Sequence, residues 1–365
     1  MLQRAIGLTA VSIPALLGLE RAVLLPATTA SAAAGDRLER RVADGESRTR
    51  TFALDREMEV TDFRLVFNGE EIDPSMFGGG DMDATTTDSI RLEMTDKVEK
   101  GTDDGRQAKF VRTYTTLEGR NELSGGMFEA MGEGGGETDL ASDLEGLDVV
   151  FTLDRESGEY TAAFPEDSDA DTELLEDLEG DLDFAALLPD REVAVDDEWE
   201  LPLELFVELT EPGGDLKLTP PDDEGAEDVE NPLENTDDEP TYDGTFKARL
   251  RGFREEDGVR YADVDLEFEI SSELEVTDAL DPMTQDSPMG EMTITPIEIR
   301  VERTAEGKGH FVWNVTRGCV RSVHIEADLT ELNYNAVEID LGGEVMEQSQ
   351  EITSEGSMTC DLTVE

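Results

Sequence analysis

Three groups of residues have the type and spacing to do chemistry. The first is Asp167-x-Asp169-x-Asp171-x-Glu173, alternate carboxylates on an extended stretch. Such oxygens can converge on Ca²⁺, a hard cation that prefers an all-oxygen shell. The run departs from an EF-hand loop. Its sixth position is Thr172, where a sharp turn needs Gly, and its twelfth is Leu178, where a bidentate Glu is needed. Asp167, Asp169, Asp171 and Glu173 are therefore the candidate metal ligands, and Ca²⁺ is the one cofactor the sequence offers.

The second group is the pair Cys319 and Cys360. The apolar faces of 319–329 and 358–364 pair antiparallel if Leu329 lies near Gln350, which sets Cys319 opposite Cys360. In an oxidising compartment a disulfide is then expected. Closing that loop would stabilise the fold by about 4 kcal/mol on the chain-entropy model. The third group is His310 and His324, on expected strands near Trp313. Either could serve as a general base, but no nucleophile is marked nearby, and a structural role is the simpler reading. Two Cys and two His fit no zinc-site spacing.

The frames of common catalytic sites are absent. There is no Gly-x-Ser-x-Gly, His-Glu-x-x-His, Gly-x-x-x-x-Gly-Lys or strand-borne Gly-x-Gly-x-x-Gly. Carboxylates abound, so a paired-carboxylate or Ca²⁺-dependent extracytoplasmic hydrolase stands as the alternative to a non-enzymatic protein.

Charge narrows the partners. Ninety Asp and Glu face 29 Lys and Arg over 365 residues, a formal net charge of -61. A surface this acidic repels phosphate, which excludes nucleic acid and anionic membrane as partners and leaves a lipid or an envelope protein. Only six of the bases are Lys. Together these point to a salty surrounding, where ions screen the self-repulsion of a compact polyanion, or to a lineage that prefers Arg codons.

The elements that must position these residues are mostly strands. Residues 1–34 read as an export signal: Arg4, an apolar run from Ala5 to Leu19, and Ala30-Ser31-Ala32 as a small-x-small cleavage site. Residues 35–50 form a charged lead-in. From 51 to 210 the period is two, with hairpins at 88–117 and 149–164 and an Asn68-Gly69 turn. Leu174, Leu178, Leu182 and Ala185 predict a helix near 171–188, ended by Pro189. Val193–Leu209 reads as strand, broken at Pro202. Residues 211–242, with five Pro and 12 acids, read as a mobile linker.

From 243 to 365 the alternation is clearest. Phe246, Ala248 and Leu250 face Val264, Leu266, Phe268 and Ile270 across Asp257-Gly258, which sets Arg249 near Asp265 and Arg251 near Asp263. Further strands are expected at 293–303, 310–314, 319–329 and 344–364. The fold class expected is mainly β: curved antiparallel sheets, half-barrel or sandwich-like, with one or two short helices.

The segment Leu187-Leu188-Pro189-Asp190-Arg191-Glu192-Val193-Ala194-Val195-Asp196-Asp197-Glu198-Trp199 resembles the Leu-Leu-Pro, Val-x-Val-Gly-x-x-Trp segment of uncharacterised exported β-rich proteins of planctomycete-type bacteria. Residues 243–270 and 309–327 are similar to their C-terminal hairpin and meander. Asp196 stands where that segment has Gly. The resemblance implies a periplasmic or secreted location and a β-rich fold, and it brings no activity. The expected function is an exported, acidic, non-enzymatic binding or structural protein of the cell envelope, carrying an apolar ligand in a concave sheet.

Overall fold

A computed structural model describes residues 36–73, 83–126, 136–220, 240–276, 282–287, 290–341 and 344–365. The export signal and most of the acidic Pro-rich segment lie outside these residues. The described chain is mainly β, one large antiparallel sheet that does not close.

Two-residue alternation builds the long strands, because it gives each an oily and an acidic face. The centre of the sheet is made by β1 (Ser47–Phe67), β3 (Thr85–Gly101), β12 (Gly290–Asn314), β13 (Cys319–Leu341) and β14 (Glu344–Val364). On one side follow β4 (Gln107–Ser124), β6 (Asp148–Leu153) and β7 (Tyr160–Ala163). On the other follow β10 (Val259–Val276), β9 (Thr241–Glu256) and β8 (Glu198–Glu200). The order is β7-β6-β4-β3-β1-β14-β13-β12-β10-β9-β8, with β2 (Glu70–Ile72), β5 (Gly136–Ala141) and β11 (Met283–Ser287) as side branches. Asn68 and Gly69 both adopt positive φ, 49° and 79°, and make the expected two-residue turn into β2.

The sheet curls around its own chain. Residues 165–197 and 201–219, on either side of β8, lie on the concave face as a plug. Leu182, Leu187, Leu205 and Leu209 from the plug join Phe110 and Phe151 of one flank and Phe246 and Leu250 of the other in a single apolar cluster. Gly307 on β12 permits a close approach. A Cβ there would meet the carbonyl oxygen of Glu326 at 2.2 Å and the Phe268 ring at 2.7 Å. The missing side chain thus lets a β10 ring seat on β12.

Several expectations need correction. Residues 171–188 form two 3-10 turns, Thr172–Leu175 and Ala185–Leu187, instead of a helix. Asp177 and Phe184 take positive φ, 60° and 46°, which a helix excludes. Arg112 also takes the carbonyls of Glu179 and Gly180, at 2.8 and 3.0 Å. The α-helix lies later, at α1 (Leu205–Thr210), inside the stretch read as strand, of which β8 keeps three residues. Strands expected at 293–303 and 310–314 are one, β12. The acidic Pro-rich segment begins as packed chain. Leu216 is buried, and Thr219 exchanges backbone hydrogen bonds with Ala141.

The β9–β10 hairpin pairs Arg249 with Asp265 as expected, but a bulge after Asp263 sets Gly252 opposite Asp263. Arg254 takes over as the Asp263 partner, at 3.1 Å, and Arg251 turns to Asp265, at 3.4 Å. Asp196, where the resembled segment carries Gly, has φ 73°, the left-handed region that Gly occupies freely. Its amide donates to Leu250 O on β9 at 2.8 Å.

Candidate functional site

Apart from those of the plug, the side chains of chemical interest sit on one of two sheet faces. Parity along each strand decides which. On the concave face, charged residues occupy positions that alternation reserves for apolar ones. Arg48 and Arg50 share parity with Phe52 and Leu54. Asp96 and Asp88 share parity with Leu92 and Met94. Arg112 lies between Phe110 and Tyr114. All five are buried.

The first concave cluster holds the plug. Strand pairing sets Arg48, Asp96 and Arg112 in one row across β1, β3 and β4. Arg112 grips both oxygens of Asp96, at 2.8 and 3.2 Å, while Arg50 reaches the same carboxylate. Asp183 descends from the plug to accept from Arg48 at 2.9 Å and Arg50 at 3.1 Å, with Gln107 at 3.4 Å. Glu46 accepts from Arg48 Nε at 3.0 Å. Three guanidiniums thus meet three carboxylates. Burial alone would raise the Asp96 carboxyl, but Arg112 and Arg50 outweigh it and hold it below its usual range. The cluster ties plug to sheet.

The second cluster is a polar belt just beyond the plug. Asp88 on β3 lies opposite Arg56 on β1 and accepts from its Nε and Nη2 at 2.8 and 2.7 Å. Asp88 Oδ1 is buried with no hydrogen-bond partner among the described residues. Burial pushes this carboxyl up to about 7 against the pull of Arg56, and Glu331 adds to the rise. On β13, Glu331 accepts from Arg303 of β12 at 2.8 Å and from Asn333 at 2.7 Å. Past the belt the face turns apolar again. One cluster holds Ala84, Ile352, Val60, Phe63 and Leu123. Another holds Met292, Ile294, Ile339, Val337 and Met346. Both are made by strand residues and the lead-in to β3; no residue of the plug belongs to either.

The residues singled out from sequence lie elsewhere. Asp167, Asp169, Asp171 and Glu173 are exposed on the plug's outer loop and do not converge. Asp171 caps the first 3-10 turn through the Glu173 amide, at 3.2 Å. Among the described residues, no three His, Cys, Asp or Glu side chains are grouped so as to hold a metal ion. The expected Cys pairing is corrected by register. β13 and β14 do pair antiparallel, but Cys360 faces Ile325, and Leu329 faces Gly356. Cys319 faces Asn314 on β12. Both are buried free thiols, and burial pushes both of them up. Cys360 donates to Leu209 O of α1 at 3.3 Å. His310 and His324 lie on the convex face, opposite one another.

Two shallow clefts mark the surface. One of about 540 Å³ lies against Phe164, Ala170, Thr172 and Leu175, and one of about 250 Å³ over Phe52, Arg91 and Thr116. The first cleft also touches Ser168 and Glu176, and the second Glu93 and Asp361. No helix among the described residues is long and apolar enough to cross a membrane.

No protein-family model and no curated protein matches the chain. Among solved structures it has a weak likeness to an outer membrane channel from Pseudomonas putida F1, at TM-score 0.21 and 10% identity, covering 89% of this chain and 97% of that one. Pseudomonas putida OprB follows at TM-score 0.17 and 8% identity, covering 85% and 94%. The toluene transporter TodX of the same organism has TM-score 0.15 and 10% identity, covering 87% and 90%. Scores this low show no common chain path.

Proposed function

We propose that this protein acts outside the cytoplasm as an acidic, non-enzymatic binding protein of the cell envelope, and that its ligand is an amphiphile with an apolar chain. The observation that carries the reading is the division of the concave face. One part is filled by the plug. The other carries, behind a belt of Arg56, Asp88, Arg303 and Glu331, two small apolar clusters whose buried centres are rimmed by half-buried Val60, Phe63, Leu123, Val337 and Met346. An apolar chain gains about 25 cal/mol for each Å² it buries on such a face. The belt offers charge-assisted hydrogen bonds to a polar head. The strong negative charge argues against a phosphate-rich partner and for a role in salty surroundings. The apolar N-terminal run with Arg4 supports export.

Native mass spectrometry of the exported protein tests this. A retained lipid-sized adduct is expected, displaced by a fluorescent fatty acid. Replacing Arg303→Gln should weaken that probe by roughly tenfold, the loss of one charge-assisted bond. Absence of any adduct, with no probe binding across chain lengths, would remove the reading.

A further inference from the structure

The two histidines of this chain, His310 and His324, sit opposite one another on β12 and β13. Both project from the convex face, away from plug and belt. The row they occupy extends on each side: Asp265 of β10 faces His310, and Asp361 of β14 faces His324. We propose that His310 and His324 form a two-imidazole site for a divalent transition-metal ion such as Zn²⁺ or Cu²⁺.

The geometry supplies the parts. Directly opposed residues on neighbouring antiparallel strands have Cβ atoms about 5 Å apart, within which two rings can share one ion at about 2 Å from each nitrogen. His324 Nδ1 lies 2.8 Å from Asp361 Oδ1, which leaves Nε2 as the ligating nitrogen. A carboxylate behind the far nitrogen is the usual way a metal-bound imidazole is oriented and made more basic. His310 lies between Asp265, 3.5 Å from Nδ1, and Asp263, 3.8 Å from Nε2. Its Nδ1 is shielded from solvent and makes no hydrogen bond.

Glu326 lies 3.6 Å from His324 Nε2 and can complete the shell, although Lys308 competes for it at 3.5 Å. The rings are partly exposed, so an ion can enter from solvent. As the side chains stand, three such groups do not converge, so binding requires the His310 ring to turn about χ1 toward His324, whose own ring Asp361 holds in place. Imidazole selects zinc, copper or nickel over Ca²⁺. That distinguishes this site from the diffuse attraction of an acidic surface.

Copper titration of the untagged full chain, followed by electron paramagnetic resonance, is the test. It is done in about 1 M NaCl, where exposed charges are screened within about 3 Å. One tightly held Cu²⁺ per chain with coupling to two nitrogens is expected. His310→Asn and His324→Asn should each remove one nitrogen and weaken binding by roughly 100-fold, while Ca²⁺ uptake is unchanged. A wild-type spectrum without nitrogen coupling overturns the proposal whether or not the variants fold. So does equal Cu²⁺ affinity in the double variant.

Discussion

Asp88 is a carboxyl whose surroundings disagree about its charge. Two short bonds from Arg56 favour the anion, yet burial prevails and lifts it to about 7 from an ordinary 3.8. Between those values the folded protein binds the proton more tightly than the unfolded chain does. Stability contributed by this group is therefore complete below about pH 4 and is lost as pH rises toward 7. The full span is worth on the order of 4 kcal/mol at about 1.4 kcal/mol per unit. Asp88→Asn, which keeps the size and removes the titration, should flatten the stability profile between pH 4 and 7. Urea melts of both proteins at several pH values, compared as differences, measure it. Parallel profiles would place the titration elsewhere.

At the scale of elements, the plug depends on a few ion pairs reaching down from an irregular segment. Asp183 is the plug's buried contribution, between Arg48 and Arg50. Asp183→Ala leaves those guanidiniums short of a partner in a dry site and should cost roughly 3–5 kcal/mol, seen as a lowered urea midpoint. Amide exchange should locate the loss in residues 171–216 first, because the plug has few backbone ladders of its own. This element also shows where sequence reading works and where it fails. Hairpins β3–β4, β6–β7 and β9–β10 are legible because strict alternation and Gly-bearing turns leave one register that buries oil. The leucines at 174, 178 and 182 mimic a helix, but their spacing carries no trace of Arg112, which draws off the carbonyls from across the sheet. The cysteine register was mistaken for a related reason. Both faces of 330–341 and 344–355 mix polar and apolar residues, so a six-residue slide costs little on paper. The buried charges were readable in principle. Arg48, Asp96, Asp88 and Arg112 all stand on the apolar parity, a signal that points to satisfied pairs rather than solvent. The His310–His324 pairing needs the true β12–β13 register, which the sequence leaves open because Gly307 and Gly309 interrupt the alternation within one strand.

For the whole molecule, charge is the governing term. The chain carries a net charge of -61, and the described sheet has an acidic outer face, so compaction brings like charges together. Screening should relieve this. Raising KCl from about 0.1 to about 2 M is expected to increase Tm by several degrees, with sodium sulfate effective at lower concentration. A melting temperature that falls or stays flat across that range would show that the self-repulsion is already offset locally by ion pairs such as Arg303–Glu331 and Arg120–Asp139.

β1 and β14 are neighbours in the middle of the sheet, and Thr61 touches Thr353 although they lie 292 positions apart. The two flanks are therefore not separable units: each completes its curl against a central seam that joins distant parts of the polypeptide. Such a seam closes late, after the longest loop has been drawn in, and folding governed by distant contacts is slow. While the protein is being made, the seam strand at Glu344–Val364 is added long after its partner, so the growing chain stays pliable and threadable for nearly the whole of synthesis.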